Sequence, residues 1–163
     1  MGCQSSIADQ IVEGGGHYIL ALKGNQETIH EEVKAIFDDE AKSAKNVDCP
    51  ETHMEEASEV DKGHGRLEER TVRVCTEVSW LKKEKKWKSV NSVIEILASR
   101  TIKGRRTTEK RYYLSSMKSN AKMFLKWIRD HWGVESFHWT LDVAFSPHFS
   151  HRRKERVNGI VFQ

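Results

Sequence analysis

The sequence predicts an α/β domain with a β-rich centre, and three observations lead to that class. A short amphipathic segment at residues 5–13 ends at three glycines and is followed by an apolar run at 17–22. Residues 66–116 are rich in alternating apolar and polar side chains, the pattern of half-buried antiparallel strands. Residues 119–143 return to the spacing of an amphipathic helix. With 163 residues, the chain has the length of about one domain.

The first part of the chain predicts a helix, a strand and a second helix. Residues 5–13 have one apolar helical face, and the run at 17–22 is too short for a helix and rich in strand formers. We therefore expect a buried strand there. The polar turn at 23–26 follows it, at the edge where open α/β sheets collect their sites. Residues 27–42 predict a surface helix, and the acidic residues 43–65 predict a loop or linker.

The centre of the chain predicts an antiparallel β section with basic turns. Strands are expected within residues 66–78, 90–102 and 106–114. Gly104 separates the last two strands and indicates a hairpin. Residues 80–88 form a basic connection that contains two tryptophans.

The last part predicts one long helix, bent at Gly133, followed by a basic tail. These patterns divide the chain into an α/β part, a linker, a β-rich section, a helical section and a tail. The expected segments are 1–42, 43–65, 66–118, 119–145 and 146–163.

Composition excludes several classes of protein. Hydrophobic residues make up 37% of the chain, enough for a core, and no stretch approaches 18 apolar residues, so we expect no membrane span. The first residues do not have the pattern of a signal peptide, so we expect none, and the sequence contains neither a phosphate-binding P-loop motif nor a nucleophile elbow. The three cysteines are widely spaced and odd in number, which predicts reduced thiols and a cytoplasmic protein.

Charge is distributed unevenly along the chain. Residues 1–61 hold 4 Lys/Arg and 14 Asp/Glu, a net of −10, whereas residues 62–163 hold 23 and 10, a net of +13. A basic half of this kind is typical of proteins that bind a polyanion such as nucleic acid. The alternative is a solvated surface whose two halves neutralise each other in the fold.

The long helix carries the richest group of titratable side chains. Its members recur at i, i+4, i+7 and i+11 and so share one helical face: His131, Glu135, His138 and Asp142. Carboxylates in such a group suit Mg²⁺ or Mn²⁺, which prefer oxygen ligands. The alternative is an exposed polar stripe in which Glu135 pairs with Arg129 or with a histidine.

Two other metal interpretations are weaker. The spacing is HxxxExxH and not HExxH, which argues against a zinc protease. Glu135 and His138 match the ExxH of di-iron bundles, but those sites need a second ExxH and two further glutamates.

Two basic groups precede the helix. In residues 62–70, glycines flank His64, and we expect Arg66, Arg70 and Arg73 to share one strand face that can grip phosphates. Arginines that protect a strand edge are the alternative there. The second group combines basic side chains with aromatic rings that can stack on bases, or it forms a soluble hairpin rim. Its members are Trp80, Lys82, Lys83, Lys85, Lys86, Trp87, Lys88, Lys103, Arg105, Arg106, Lys110, Arg111 and Tyr112.

Four motifs in order resemble the C-terminal half of bacterial DDE transposases of the H-repeat-associated class. They are YILALKGNQ at 18–26, HGRxExR at 64–70, RYYLSS at 111–116 and HWGVESxHWxLDVxF at 131–145. The resemblance implies a partial ribonuclease H-like core with an antiparallel β-rich insertion before the final long helix. It also implies DNA strand cleavage and transfer with two divalent metals, Mg²⁺ or Mn²⁺, held by two Asp and one Glu.

The resemblance assigns roles to particular residues. Glu135 matches the family's final acid, which implies a catalytic role and metal binding. His131 stands where many related transposases carry an arginine, and Asp142 lies one step further along the helix face. Both fit a role facing DNA or supporting the metal ligands. The side chains expected to contact DNA are Lys23, His64, Arg66, Arg70, Arg105, Arg106, Arg111, Arg129, His131 and His138.

The sequence also departs from the family pattern. In the family, the second catalytic Asp is followed almost at once by a stretch like residues 1–4, so both aspartates are expected outside this chain. After Phe145, residues 146–163 do not follow the family. We therefore expect a truncated fragment that lacks transposition activity on its own, because one carboxylate cannot hold two metals. We also expect strand 17–22 to be unpaired on one side, which would leave an exposed apolar edge.

Two alternative functions remain at this point. One is a non-catalytic DNA-binding remnant that uses the basic section. The other is an unrelated small α+β metal protein that uses His131, Glu135 and His138. The expected partner is DNA at insertion-sequence ends, with the protein associated with the nucleoid when bound, and a homo-oligomer remains open for the full-length family.

Overall fold

A computed structural model describes residues 5–22, 27–38, 53–63, 66–84, 87–131 and 159–162. Three helices have defined bounds, α1 (Ser5–Glu13), α2 (Glu27–Phe37) and α3 (Ser79–Glu84). Residues 121–131 form a further helical segment, α4. The strands are β1 (His17–Leu22), β2 (Met54–Gly63), β3 (Arg66–Cys75), β4 (Ser92–Ile102), β5 (Arg105–Ser115) and β6 (Gly159–Phe162).

The strands form one sheet in the order β2-β3-β4-β5-β1-β6, and every neighbouring pair is antiparallel. Strands β2 to β5 are a meander of long strands. Strand β1 joins it beside β5, with Ile19 opposite Ser115. This junction is reinforced by side chains, since Tyr18 N donates to Ser116 Oγ at 2.9 Å and Ser115 Oγ donates to Tyr18 O at 2.9 Å.

Helices cover both faces of the sheet, and the two faces are named here after them. On the α2 face, α1, α2 and α3 pack against alternate strand residues. This cluster includes Ala8, Val33, Ile36, Leu81, Leu20, Cys75, Val93 and Leu114. On the α4 face, α4 packs against the intervening residues. That cluster includes Phe124, Leu125, Ile128, Val72, Ile94, Ile96 and Tyr113. Each buried aliphatic side chain contributes about 1.5–3 kcal/mol.

Several predicted elements are confirmed. Helix α1 matches residues 5–13 and ends in a Schellman motif. There Gly16 N donates to Ile11 O at 2.9 Å, while Gly15 has a φ of +82° that side chains rarely adopt. The predicted hairpin is also present. Its turn residues Lys103 and Gly104 have φ values of 48° and 77°, as a two-residue turn between twisted strands requires.

Two predictions about the sheet are wrong. The expected loop at 43–65 contains strand β2, whose ten residues all pair with β3. The acidic sequence of β2 lacks the alternating apolar pattern that would predict a strand. The reason is that only Ala57 on β2 is buried and the strand forms one edge of the described sheet. Strand β1 is not left unpaired either, since β5 lies on one side of it and β6 on the other.

The region of the two tryptophans also differs from its prediction. Residues 80–88 were expected to be a basic connection, but they include most of helix α3. Trp87 is buried in the cluster on the α2 face, and Trp80 packs against it. Tyr112 is buried there as well. Trp87 and Tyr112 therefore serve the core and are not placed to stack on bases.

Cys75 is fully buried and takes part in a disulfide bond. The expectation of three reduced thiols is therefore wrong. No described helix is long and apolar enough to cross a membrane.

A buried ion pair ties α2 to the sheet. The Glu95 side chain on β4 is 2% exposed, and Arg73 on β3 donates to it through Nε at 2.9 Å and through Nη2. Arg73 Nη2 also donates to Phe37 O at 2.7 Å, at the carboxyl end of α2, and its guanidinium lies over the Phe37 ring. One cation thus neutralises a buried acid and caps a helix. Burial raises the pKa of the neighbouring Tyr112 phenol, and the Glu95 charge adds to that shift.

Replacing Arg73 by methionine removes this cation and leaves the Glu95 carboxylate buried without it. We expect Arg73→Met to lower the free energy of unfolding by about 3 kcal/mol, because breaking a buried pair from one side is costly. Urea denaturation followed by tryptophan fluorescence measures the change. The double variant Arg73→Met/Glu95→Leu holds no buried charge and is expected to recover most of the loss. A double variant as unstable as Arg73→Met would contradict this account.

Candidate nucleic-acid interface

The α4 face has an apolar half and a charged half. Along β3, the residues on this face run from Arg66, Glu68 and Arg70 to Val72 and Val74. Strand β5 makes the same change, with Arg111 preceding Tyr113 on this face. The apolar half is covered by α4, and the charged half forms an open groove of about 800 Å³.

Five arginines line this groove, which we call the arginine groove. They come from β3, β4, β5 and α4: Arg66, Arg70, Arg100, Arg111 and Arg129. Three acidic residues of the same face lie among them, namely Asp61, Glu68 and Glu109. Glu69 also borders the groove, but its carboxylate pairs with Arg106 on the opposite face. The lining is therefore a network of ion pairs with an excess of positive charge.

Glu68 is the centre of the network. Its Oε2 accepts from Arg70 Nη2 at 2.6 Å, and its Oε1 lies 3.3 Å from the Nε atoms of both Arg66 and Arg100. The register explains this cluster, because Glu68 lies directly opposite Arg100 and two residues after Arg66. Arg70 extends the network to Glu59 on β2 through Nη1 at 3.4 Å.

Strand β2 also holds α4 in place. Glu55 Oε2 accepts from Ala121 N at 3.1 Å, at the start of the helix, and Glu59 Oε2 accepts from Arg129 Nη1 at 3.1 Å. Ala57 lies between them in the apolar cluster. Four strand steps cover about 13 Å and eight helix steps about 12 Å, so the two elements are matched in length. The amino end of α4 is capped as well by Asn120, whose Oδ1 accepts from Met123 N at 2.9 Å.

Arg111 forms a separate pair at the other side of the groove. Its Nε and Nη2 donate to the two carboxylate oxygens of Glu109 at 2.8 and 3.0 Å. These bonds are the main reason that the pKa of Arg111 is raised. This pair is a two-pronged contact of the kind that guanidinium groups make with carboxylates and phosphates.

The structure brings together four of the residues predicted to contact DNA: Arg66, Arg70, Arg111 and Arg129. Arg105 is exposed at the start of β5, beside the hairpin turn, and His131 lies at the end of the described part of α4. Arg106 belongs to the opposite face, where its Nη2 donates to Glu69 at 2.8 Å.

One grouping from the sequence is wrong. Arg73 does not share a face with Arg66 and Arg70, because it lies an odd number of residues away along the strand and points to the α2 face. The remaining predicted residues fall outside the described ranges: Lys23, His64, Glu135, His138 and Asp142.

Within the described ranges, no three His, Cys, Asp or Glu side chains come close enough to hold a metal ion. The described residues by themselves therefore do not form the expected Mg²⁺ or Mn²⁺ site. The candidate ligand Glu135 lies beyond them.

Sequence reasoning missed Arg100 and Glu59, and it noted Glu68 only as the glutamate of the HGRxExR motif and not as a site residue. Arg100 stands alone in an apolar strand, so local density of basic residues did not single it out. Arg100 can be assigned to the site only from the strand register, because the pairing of β3 with β4 places Arg100 opposite Glu68.

Comparison with known proteins gives a consistent picture. A family model described as "Transposase DDE domain" matches residues 1–162. The chain is 34% identical over 152 residues to the H repeat-associated putative transposase YhhI of Escherichia coli K12, which covers 90% of this chain and 38% of that protein. It is 34% identical over 167 residues to the putative transposase YncI of Escherichia coli O157:H7, covering 99% and 41%.

A third relative is an uncharacterized protein from the dhlA 3′ region of Xanthobacter autotrophicus, 33% identical over 117 residues, covering 71% of this chain and 37% of that protein. The chain thus spans about two fifths of the length of these curated relatives. No solved structure matches the chain. The α/β class is confirmed by the coordinates, and the ribonuclease H-like core stays a prediction.

The contacts between β2 and α4 give a stability test with a matched control. Glu55→Ala leaves the first N–H group of α4 without its carboxylate partner, so we expect a loss of about 1 kcal/mol in the free energy of unfolding. Glu56, the next residue on β2, points to the opposite face and is exposed. Glu56→Ala is expected to change stability by less than about 0.5 kcal/mol. Thermal denaturation compares the two variants, and equal losses would argue against capping by Glu55.

Proposed function

Because the chain belongs to the transposase DDE-domain family, we propose that its arginine groove binds DNA, as a part of the metal-dependent strand cleavage and transfer that is typical of that family. The observation that carries this proposal is the groove itself. Five arginines from four elements converge on one open face beside α4, and guanidinium groups suit phosphate oxygens in shape and charge.

The role proposed for the described residues is to bind and orient the DNA backbone. Phosphate contacts fix the position of a duplex without reading its sequence, and they supply most of the salt-dependent affinity. The groove is built on strands and a helix, so its guanidinium groups are held by a rigid support. Target sequence would then be set elsewhere in the protein.

The catalytic part of the proposal comes from family resemblance. The motif at 131–145 supports Glu135 as a metal ligand and assigns His131, His138 and Asp142 roles that face DNA or support the metal ligands. Residue Arg129 of the groove lies six positions before Glu135 on the sequence. Helix α4 would then connect the DNA-binding groove with the reacting phosphate, over a partial ribonuclease H-like core.

DNA binding by the groove predicts a strong dependence on salt. For a short fluorescent duplex, we expect affinity to fall steeply between low and physiological salt, and Arg129→Gln to weaken binding with a slope reduced by about 1 in the log–log plot. Lys34→Gln also removes one cation, but Lys34 lies on α2, over the opposite face. It is expected to leave affinity within about twofold. Fluorescence anisotropy measures both, and wild-type binding that is absent or independent of salt would contradict the proposal.

The role proposed for Glu135 predicts that its substitution affects DNA strand cleavage but not DNA binding. The sequence matches only one carboxylate of the metal site, so we expect no strand cleavage by this chain alone. Should cleavage be measured with Mg²⁺ or Mn²⁺, we expect Glu135→Gln to abolish it and to leave metal-free DNA affinity unchanged, because a neutral amide is a poor ligand for these ions. A gel assay of nicked product, run beside anisotropy, measures the two effects. Cleavage that persists in Glu135→Gln would remove Glu135 from the catalytic role.

A further inference from the structure

Three arginines share the single carboxylate of Glu68. The Nε atoms of Arg66 and Arg100 both lie 3.3 Å from Glu68 Oε1, and Arg70 occupies the other oxygen at 2.6 Å. The Glu68 side chain is only 15% exposed, whereas Arg66 and Arg100 are 47% and 49% exposed. One largely covered acid therefore holds two half-exposed cations side by side.

The way in which Arg66 and Arg100 bind leaves part of each guanidinium unused. Both approach Glu68 through Nε, and within the described ranges their Nη groups donate no hydrogen bond. A guanidinium has five N–H donors in a fixed plane, and its two Nη groups form one edge that can receive an oxyanion. Two such edges lie next to one another in the open groove.

Charge at this point is unbalanced. Three guanidinium groups meet Glu68, and Glu59 pairs with one of them, Arg70, and with Arg129. Four guanidinium groups thus share two carboxylates, which leaves two positive charges in the network. An oxyanion that binds the Nη edges of Arg66 and Arg100 would offset that excess with charge-assisted hydrogen bonds. A DNA phosphodiester has two such oxygens and one negative charge.

We propose that Glu68 is a positioning residue that holds Arg66 and Arg100 as a paired clamp for one DNA phosphate, and that Arg100 contacts DNA. This inference rests on the proposed DNA-binding function and adds to it a residue and a geometry. A guanidinium fixed by a carboxylate loses less side-chain entropy when it binds its ligand. Glu68 thus assists the binding of an anion although it is itself an anion.

The opposite role makes the opposite prediction. If Glu68 only competes with DNA for the arginines, removing its charge frees them and strengthens binding, as loss of an acid near DNA normally does. If Glu68 positions the arginines, Glu68→Gln weakens binding despite the loss of a negative charge. The sign of the change separates the two roles.

The experiment measures the affinity of the full chain for a short fluorescent DNA duplex over a range of salt. We expect Arg100→Gln to weaken binding about fivefold or more and to reduce the salt slope by about 1. Glu68→Gln is expected to weaken binding about threefold. Glu56→Gln, on the other face of the sheet, is the matched acid control and is expected to leave affinity the same or slightly higher.

A second comparison isolates the action of Glu68 on the two arginines. In the Arg66→Gln/Arg100→Gln background, Glu68→Gln is expected to cause no further loss, because the side chains that it positions are absent. Circular dichroism checks the folding of each variant. Should Glu68→Gln fail to fold, the coupling between Arg66→Gln and Arg100→Gln decides the clamp. Either single variant already breaks the shared phosphate contact, so the double variant is expected to lose less affinity than the sum of the two single losses, and strictly additive losses would contradict the clamp.

The outcomes separate this inference from the proposed function. Salt-dependent binding by the wild type together with unchanged affinity in Arg100→Gln would overturn the clamp and leave the groove proposal standing. Tighter binding by Glu68→Gln would likewise overturn the positioning role. A wild type without salt-dependent DNA binding would overturn both.

Discussion

The carboxylate of Glu95 is buried on the α2 face of the sheet, and its charge is compensated there by the guanidinium of Arg73. A buried charge without a partner is strongly unfavourable, so the pair fixes how β3 and β4 face α2. Since Arg73 also binds the last carbonyl of α2, the helix cannot shift along the sheet without breaking this contact. The register of β3 follows from it. Side chains alternate between the two faces along a strand. When Arg73 points to the α2 face, the α4 face therefore receives Arg66, Glu68 and Arg70, which lie an odd number of residues away.

The α4 face therefore carries two properties in one alternating pattern. Its apolar half gives α4 a surface to pack on, and its charged half begins where α4 no longer covers the strands. Glu59 joins the halves, because its carboxylate binds Arg70 on the sheet and Arg129 on the helix. A network of this kind is more than a set of surface ion pairs, since its members share partners and constrain one another.

Local patterns in the sequence predicted most of the individual elements but not how they assemble. The glycines after residue 13, the apolar run at 17–22 and Gly104 each dictate a backbone shape within a few residues. Strand β2 has no such pattern, because its stability comes from pairing with β3 and from acids that meet arginines across the sheet. Arg100 joined the candidate site only through register, which depends on residues distant in sequence.

The docking of α4 on β2 has a consequence for how the chain folds. Glu55 and Ala121 are 66 residues apart in sequence, and Glu59 and Arg129 are 70 apart. During synthesis, β2 emerges long before the helix that covers its inner side. Contacts that close such long loops form late and slow the search for the native state. Until α4 packs on the sheet, the apolar half of that face is exposed to solvent. The acidic side chains along β2 then oppose aggregation through this edge strand.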